Sequence, residues 1–275
     1  MKWTVLVENT VQKRGILAEH GLSVLVETAD RRILFDAGQT DVFLKNALLL
    51  KLSLDDLDGV VLSHGHYDHG GGLEYLSALK MDADLSVPTI YVGAGAFSEK
   101  FSKEKDGSFR NIGISKGLTE TLQVEETEGM KEIFPDVFLV SRIPKGADFE
   151  GVSPVFYRTQ EEQLIPDDMQ DEQVLVIRDG GKIHVIAGCC HMGFVSCLRY
   201  VREKFPEEAF GTVLAGMHLR SASCERLNAT IEAVRELNIE RLIPVHGTGM
   251  MAIAQMKLAL GERCRTVSAG SEIVF

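Results

Sequence analysis

Ser63-His64-Gly65-His66-Tyr67-Asp68-His69-Gly70-Gly71-Gly72 places three imidazoles and a carboxylate within six consecutive residues, directly after the apolar run Gly59–Leu62. A short, mostly apolar run that stops abruptly reads as a central strand buried on both faces. Imidazole is a common ligand of zinc and related ions, and an aspartate adds an anionic oxygen. His64 and His66 are two residues apart, so in an extended loop they point the same way. Asp68 and His69 follow at the start of a helix and can face a second position. The glycines are expected to let the backbone turn tightly between strand and helix. A solvated loop rarely concentrates these groups behind a buried strand, so the stretch reads as a metal site.

Working outward, three more of the eight histidines repeat one pattern. His191 follows the strand-like Ile183–Ala187, His218 follows Val213-Leu214-Ala215-Gly216-Met217, and His246 follows Leu242–Val245 and precedes Gly247-Thr248-Gly249. Ligand sites in α/β sheets lie outside the carboxyl ends of the strands, so four histidine-bearing loops can converge there. Beside the first cluster, His191 and His246 read as ligands rather than as satisfied core histidines. His218 reads as a ligand, a substrate contact or a hydrogen-bond donor to a ligand. His20 and His184 lack such a setting and read as structural. Cys189 and Cys190 flank His191; a thiolate is a good soft ligand, but small buried thiols are the preferred reading.

The rest of the pattern is α/β. Strands are expected at Trp3–Glu8, Leu22–Thr28 and Arg32–Phe35, the last two forming a hairpin through Ala29-Asp30-Arg31. A helix over Asp41–Leu50 is capped by Thr40 or Asp41. Later strands are expected at Thr89–Val92, Val137–Ser141, Val174–Arg178, Lys182–Ala187, Thr212–Ala215, Arg241–Val245 and Glu272–Phe275. Helices fall at Phe194–Lys204, Cys224–Leu237 and Met250–Leu260. Antiparallel strands followed by βαβ units suggest a mixed layered α/β domain. No Pro/Gly/Ser linker divides the chain, so residues 1–275 are expected to form one domain with an irregular insertion at about 94–170.

The 275 residues include 45% apolar ones, enough for a sizeable core without staples. A net charge of −11 argues against nonspecific binding to nucleic acid or an anionic membrane. Five cysteines crowded into the last third do not make a disulfide framework and fit reduced thiols. No apolar stretch approaches the roughly 18 residues of a membrane span. Met1–Asn9 has neither an apolar signal core nor a cleavage site. The expectation is a cytoplasmic protein that takes a small, anionic substrate and neither nucleic acid nor membrane, with a homo-oligomer left open.

His64-Gly65-His66-Tyr67-Asp68-His69 is an H-x-H-x-D-H motif, and with it the chain resembles the metallo-β-lactamase superfamily. Leu34-Phe35-Asp36-Ala37-Gly38 is similar to that superfamily's early strand–Asp–turn element, and His191 and His246 stand in the right order. The resemblance implies a four-layer αββα sandwich of two mixed β-sheets flanked by helices. It also implies one or two divalent ions, zinc first, with iron or manganese as alternatives. In that scheme His64, His66 and His191 hold one ion, and Asp68, His69 and His246 the other. Many members carry a bridging Asp between the last two histidines; here the place reads Gly216-Met217-His218, which puts a full two-ion site in question. The closer likeness is to a branch resembling the synthases that join a dihydropterin methyl diphosphate to a ribosyl-aminobenzene phosphate. It rests on Val7-Glu8-Asn9-Thr10, the histidine motif, Gly188-Cys189-Cys190-His191, Gly216-Met217-His218-Leu219 and Pro244–Gly249.

Three functions follow as expectations. The first is metal-dependent hydrolysis of a small ester, amide or phosphoester. Asp68 orients the attacking water or accepts its proton, His218 stabilises developing charge, and Asp36 orients a ligand histidine or simply stabilises its turn. The second is the pterin-type transferase. Lys100, Lys103, Lys105 and Arg220 are candidates for phosphate contacts, and Phe97, Phe101 and Phe109 for a flat pocket. The third is a non-catalytic metal or ligand sensor.

Overall fold

Residue burial in the computed structural model follows the apolar runs of the sequence; the structure describes residues 1–82 and 88–275. The chain folds into two compact units. One comprises Met1–Glu126, Pro154–Asp167 and Ser268–Phe275, the other Thr127–Ser153 and Asp168–Val267.

The first unit is built on strands β1 (Lys2–Val7), β2 (Ser23–Glu27), β3 (Arg32–Phe35), β4 (Gly59–Val61) and β5 (Ile90–Gly93). β1, β2 and β3 pair antiparallel, while β3, β4 and β5 pair parallel. That parallel run puts the carboxyl ends of β3 and β4 side by side, so the loops that begin with Asp36 and Ser63 leave the sheet together. Helix α1 (Val42–Leu49) buries Phe43, Asn46 and Ala47. Its expected cap, Asp41, sits at the N-cap position but bonds Lys45 at 2.8 Å rather than a helix N–H. Helix α2 (Tyr67–Gly70) carries the second half of the histidine motif, and α3 (Leu73–Asp82) follows it.

Residues 94–170, expected as an irregular insertion apart from the strand Val137–Ser141, hold more regular structure than that. The region carries strands β6 (Lys100–Lys103), β7 (Phe109–Asn111), β8 (Val124–Thr127), β9 (Met130–Phe134), β10 (Val137–Ser141), β11 (Phe156–Gln160) and β12 (Gln163–Pro166). Only β10 is buried throughout. The others are short and polar, without the two-residue alternation that betrays a half-buried strand. β12, β11, β6 and β7 form a four-stranded sheet, and β8 joins the edge of the sheet containing β1–β5.

The second unit holds a six-stranded sheet in the order β16-β15-β14-β13-β10-β9. Its further strands are β13 (Gln173–Asp179), β14 (Lys182–Ala187), β15 (Ala209–Gly216) and β16 (Arg241–Val245). The hairpin β13–β14 is antiparallel; β14, β15 and β16 run parallel, joined by helices. Helix α4 (Phe194–Lys204) buries Phe194, Val195, Leu198 and Val201, and helices α5 (Cys224–Glu236) and α6 (Met250–Leu260) follow the next two strands. The parallel register brings the ends of β14, β15 and β16 to one edge. The last strand, β17 (Glu272–Val274), pairs with β1 in the first unit. Among the described residues, no helix is long and apolar enough to cross a membrane.

His184, expected to be structural, lies within the sheet of the second unit. Its Nδ1 accepts the Thr212 N–H at 3.0 Å, and burial pushes its pKa down to about 4. The fold thus holds the imidazole neutral, while the unfolded chain binds a proton near the ordinary 6.5. Stability from this group is complete above about 6.5 and is lost as pH falls toward about 4. The loss is on the order of 3 kcal/mol at most. Urea unfolding at pH 7 and pH 4.5 should show a smaller pH-dependent loss in His184→Gln, whose amide oxygen still accepts the Thr212 N–H, than in the wild type.

Candidate metal-binding loops

Asp36 follows β3 with a left-handed backbone, φ 55°, a conformation that aspartate tolerates better than bulky residues. Its buried carboxylate takes the Ser63 N–H at 2.7 Å, the Ser63 hydroxyl at 2.8 Å and His69 Nδ1 at 2.6 Å. Burial raises the Asp36 pKa, and its contacts with His69 and Ser63 oppose that rise. The network fixes two tautomers. His69 donates from Nδ1 to Asp36, which leaves the lone pair on Nε2. Ser63 gives its single proton to Asp36, so its oxygen accepts from His64 Nδ1 at 2.9 Å, and His64 likewise carries its lone pair on Nε2. A carboxylate behind a histidine is the arrangement that raises ligand basicity and fixes ring orientation.

The donor set fits a divalent ion. His64, His66, Asp68 and His69 are all buried. His64 Nε2 and His66 Nδ1 face each other at 3.0 Å, and the rings of His64 and His69 are centred 4.3 Å apart. Two nitrogens on one tetrahedral zinc, at bond lengths of about 2.0–2.1 Å, stand about 3.3 Å apart. The observed pair needs to open by only a few tenths of an ångström.

The glycines of the motif serve a different purpose from the expected one. None of Gly65, Gly70, Gly71 and Gly72 has positive φ. They permit close approach instead: a Cβ on Gly65 would fall on the Ala96 carbonyl, and one on Gly72 on the Ala37 carbonyl. Lys100 lies beside the same loop. It is buried and paired with Asp167 at 2.8 Å, so its charge serves an internal ion pair rather than a phosphate contact. Phe109 packs edge-on against Tyr157 at 5.1 Å on the four-stranded sheet, while Phe156 lies 5.2 Å from the His66 ring.

His20 was missed by sequence reasoning. Its Nε2 lies 3.2 Å from Asp68 Oδ2, and the neighbouring Leu22 N–H bonds the Asp68 carbonyl at 3.3 Å. The loop before β2 therefore supports Asp68 by side chain and backbone. No spacing in the sequence announces this contact; Gly21, whose Cβ would stand 2.5 Å from the Asp68 carbonyl oxygen, is the only local sign.

In the second unit, His191, His218 and His246 stand at the carboxyl ends of β14, β15 and β16 as expected. His191 and His246 are buried and His218 is half-buried. The His191 and His218 rings are centred 4.8 Å apart, and His218 has φ 48°. The His191 turn is held by two distant carboxylates. Glu172 takes the His191 N–H at 2.5 Å and the Met192 N–H at 2.9 Å, and burial pushes its pKa up to about 7. Glu150 takes the Val195 and Ser196 N–H groups at 3.0 and 2.8 Å, capping α4 from outside the helix. Gly193 at φ 116° leaves room for that carboxylate, which a Cβ would strike.

Asp36→Asn is expected to weaken metal binding about 10–100-fold, because His69 loses its anionic partner. Competition with a chromophoric chelator measures it; unchanged affinity would mean that Asp36 only stabilises its turn.

The comparisons with known proteins agree with this geometry. Residues 17–202 match the family model described as the metallo-beta-lactamase superfamily. The chain is 30% identical over 256 residues to an uncharacterized protein of Methanocaldococcus jannaschii, covering 92% of each. It is 26% identical over 272 residues to the 7,8-dihydropterin-6-methyl-4-(beta-D-ribofuranosyl)-aminobenzene-5'-phosphate synthase of the same organism, covering 94% of this chain and 90% of that one. The crystal structure of a metal-dependent hydrolase of the beta-lactamase superfamily superposes with a TM-score of 0.88 at 31% identity, covering 100% of this chain and 99% of that one. The mixed α/β fold expected from the histidine motif is therefore the fold observed. The motif, the matched residues and the superposition agree: this chain belongs to the metallo-β-lactamase superfamily.

Proposed function

We propose that the protein is a metal-dependent hydrolase acting on a small, anionic ester, amide or phosphoester. The observation that carries this reading is the buried pair His64 Nε2–His66 Nδ1 at 3.0 Å, beside a His69 whose Nδ1 is committed to Asp36. The proposed ligands are His64, His66 and His191 for one ion and Asp68, His69 and His246 for a second, with zinc preferred over iron or manganese. Such an ion lowers the pKa of a bound water to about 7 and polarises a carbonyl or phosphoryl oxygen. Asp68 holds a proton-accepting oxygen at the site, and His20 at 3.2 Å steadies it. His218, half-buried against the His191 ring, would donate to developing charge on the substrate. Asp36 and Ser63 keep His69 and His64 in the tautomers that present Nε2.

A second reading is favoured by the synthase relative, which matches over most of both chains. In it the site joins a dihydropterin methyl diphosphate to a ribosyl-aminobenzene phosphate, with the departing diphosphate neutralised at the ion. One experiment separates the two. Metal-loaded protein is assayed on nitrophenyl esters and phosphodiesters, and separately on the diphosphate pterin with the ribosyl arylamine. Ester or phosphodiester turnover without condensed product supports the hydrolase. Condensed product replaces it with the transferase. Loss of all turnover in a fully loaded protein would remove both readings.

A further inference from the structure

Cys189 and Cys190 are chain neighbours with opposite surroundings. The Cys190 side chain belongs to the hydrophobic core of the second unit, together with Phe194, Val195, Cys197 and Leu198. Cys189 is buried as well, yet it is absent from that core. The left-handed backbone of Cys190, φ 50°, turns the chain between them. The Cys189 sulfur lies within 4.8 Å of a ring nitrogen of His191 and within 4.8 Å of a ring nitrogen of His246. Those two histidines belong to different strand-end loops, following β14 and β16. Gly247, next to His246, also lies close to the sulfur: a Cβ there would sit 3.5 Å away.

We propose that Cys189 is a metal ligand, its thiolate shared between the ion positions served by His191 and His246. This rests on the hydrolase reading's ligand set and adds to it a sulfur donor. A thiolate has several lone pairs and can bind two ions, whereas an imidazole nitrogen such as that of His218 binds one. The chain carries no aspartate at the Gly216-Met217-His218 turn. The anionic bridge is supplied instead by the loop after β14.

The test is spectroscopic and does not depend on turnover. Purified protein is stripped, reloaded with cobalt(II), and examined for the near-ultraviolet sulfur-to-cobalt charge-transfer band. The zinc-loaded protein is examined by X-ray absorption for a sulfur neighbour at about 2.3 Å. The expected result is a band and a sulfur shell in the wild type. Both should persist in Cys190→Ser and disappear in Cys189→Ser. If Cys189→Ser does not fold, the wild-type and Cys190→Ser spectra still decide. A loaded wild type with only nitrogen and oxygen neighbours overturns the proposal while leaving the histidine ligands standing. A signal lost in Cys190→Ser but kept in Cys189→Ser also overturns it. A wild type that takes up no metal at all overturns the hydrolase reading and this inference together.

Discussion

Gly65→Ala is expected to destroy the histidine loop, at a cost above about 3 kcal/mol, beyond the 1–3 kcal/mol of ordinary overpacking. The added methyl would overlap the backbone carbonyl of Ala96, and the next nearest atom, Lys100 Cε at 3.0 Å, belongs to a buried ion pair. Neither neighbour is the loose end of a flexible side chain, so the loop itself must move. Since Gly65 separates His64 from His66, the displacement falls on both imidazoles. Thermal unfolding should show a large drop in midpoint, and metal affinity should fall with it. Gly95→Ala, where no atom lies within 4 Å of the added Cβ, is the control; φ 84° there costs a smaller, purely local strain. Equal effects at the two positions would refute the close-approach argument.

The second large effect is chemical. His64→Ala is expected to lower metal affinity and turnover by well over 100-fold, since loss of a partner behind a ligand already costs about 10–100-fold. The variant also leaves Ser63 Oγ without the Nδ1 donor at 2.9 Å, but the Asp36 network retains the Ser63 and His69 bonds. The far-ultraviolet circular dichroism should therefore stay near that of the wild type. Retained affinity with retained fold would remove His64 from the ligand set.

Much of this was legible in the sequence, for a definite reason. The strands at Arg32–Phe35, Val137–Ser141, Lys182–Ala187 and Arg241–Val245 and the helices at Phe194–Lys204 and Met250–Leu260 begin and end where expected. Their apolar runs are dense and their ends are marked by glycine or charge. α3 was not legible: no expected element covers Leu73–Asp82, and before it the fold uses Gly71 and Gly72 to pass close to the carbonyls of Gln39 and Ala37. β7 is three exposed residues, Phe109-Arg110-Asn111, held by pairing with β6 and by the Phe109–Tyr157 ring contact, which no local pattern encodes. The histidine motif announced its chemistry because its donors are close in sequence. His20 and Glu172 did not, because each reaches its partner across many residues, His20 to Asp68 and Glu172 to the His191 turn.

The most direct test of the central claim is a crystal structure of the purified protein with anomalous scattering recorded on both sides of the zinc edge, and at the iron and manganese edges. The account predicts an anomalous peak bonded to His64 Nε2 and His66 Nδ1, with His69 Nε2 directed to the same centre or to a second peak beside it. A map with no peak within bonding distance of those three nitrogens, from protein shown to carry metal, would contradict it.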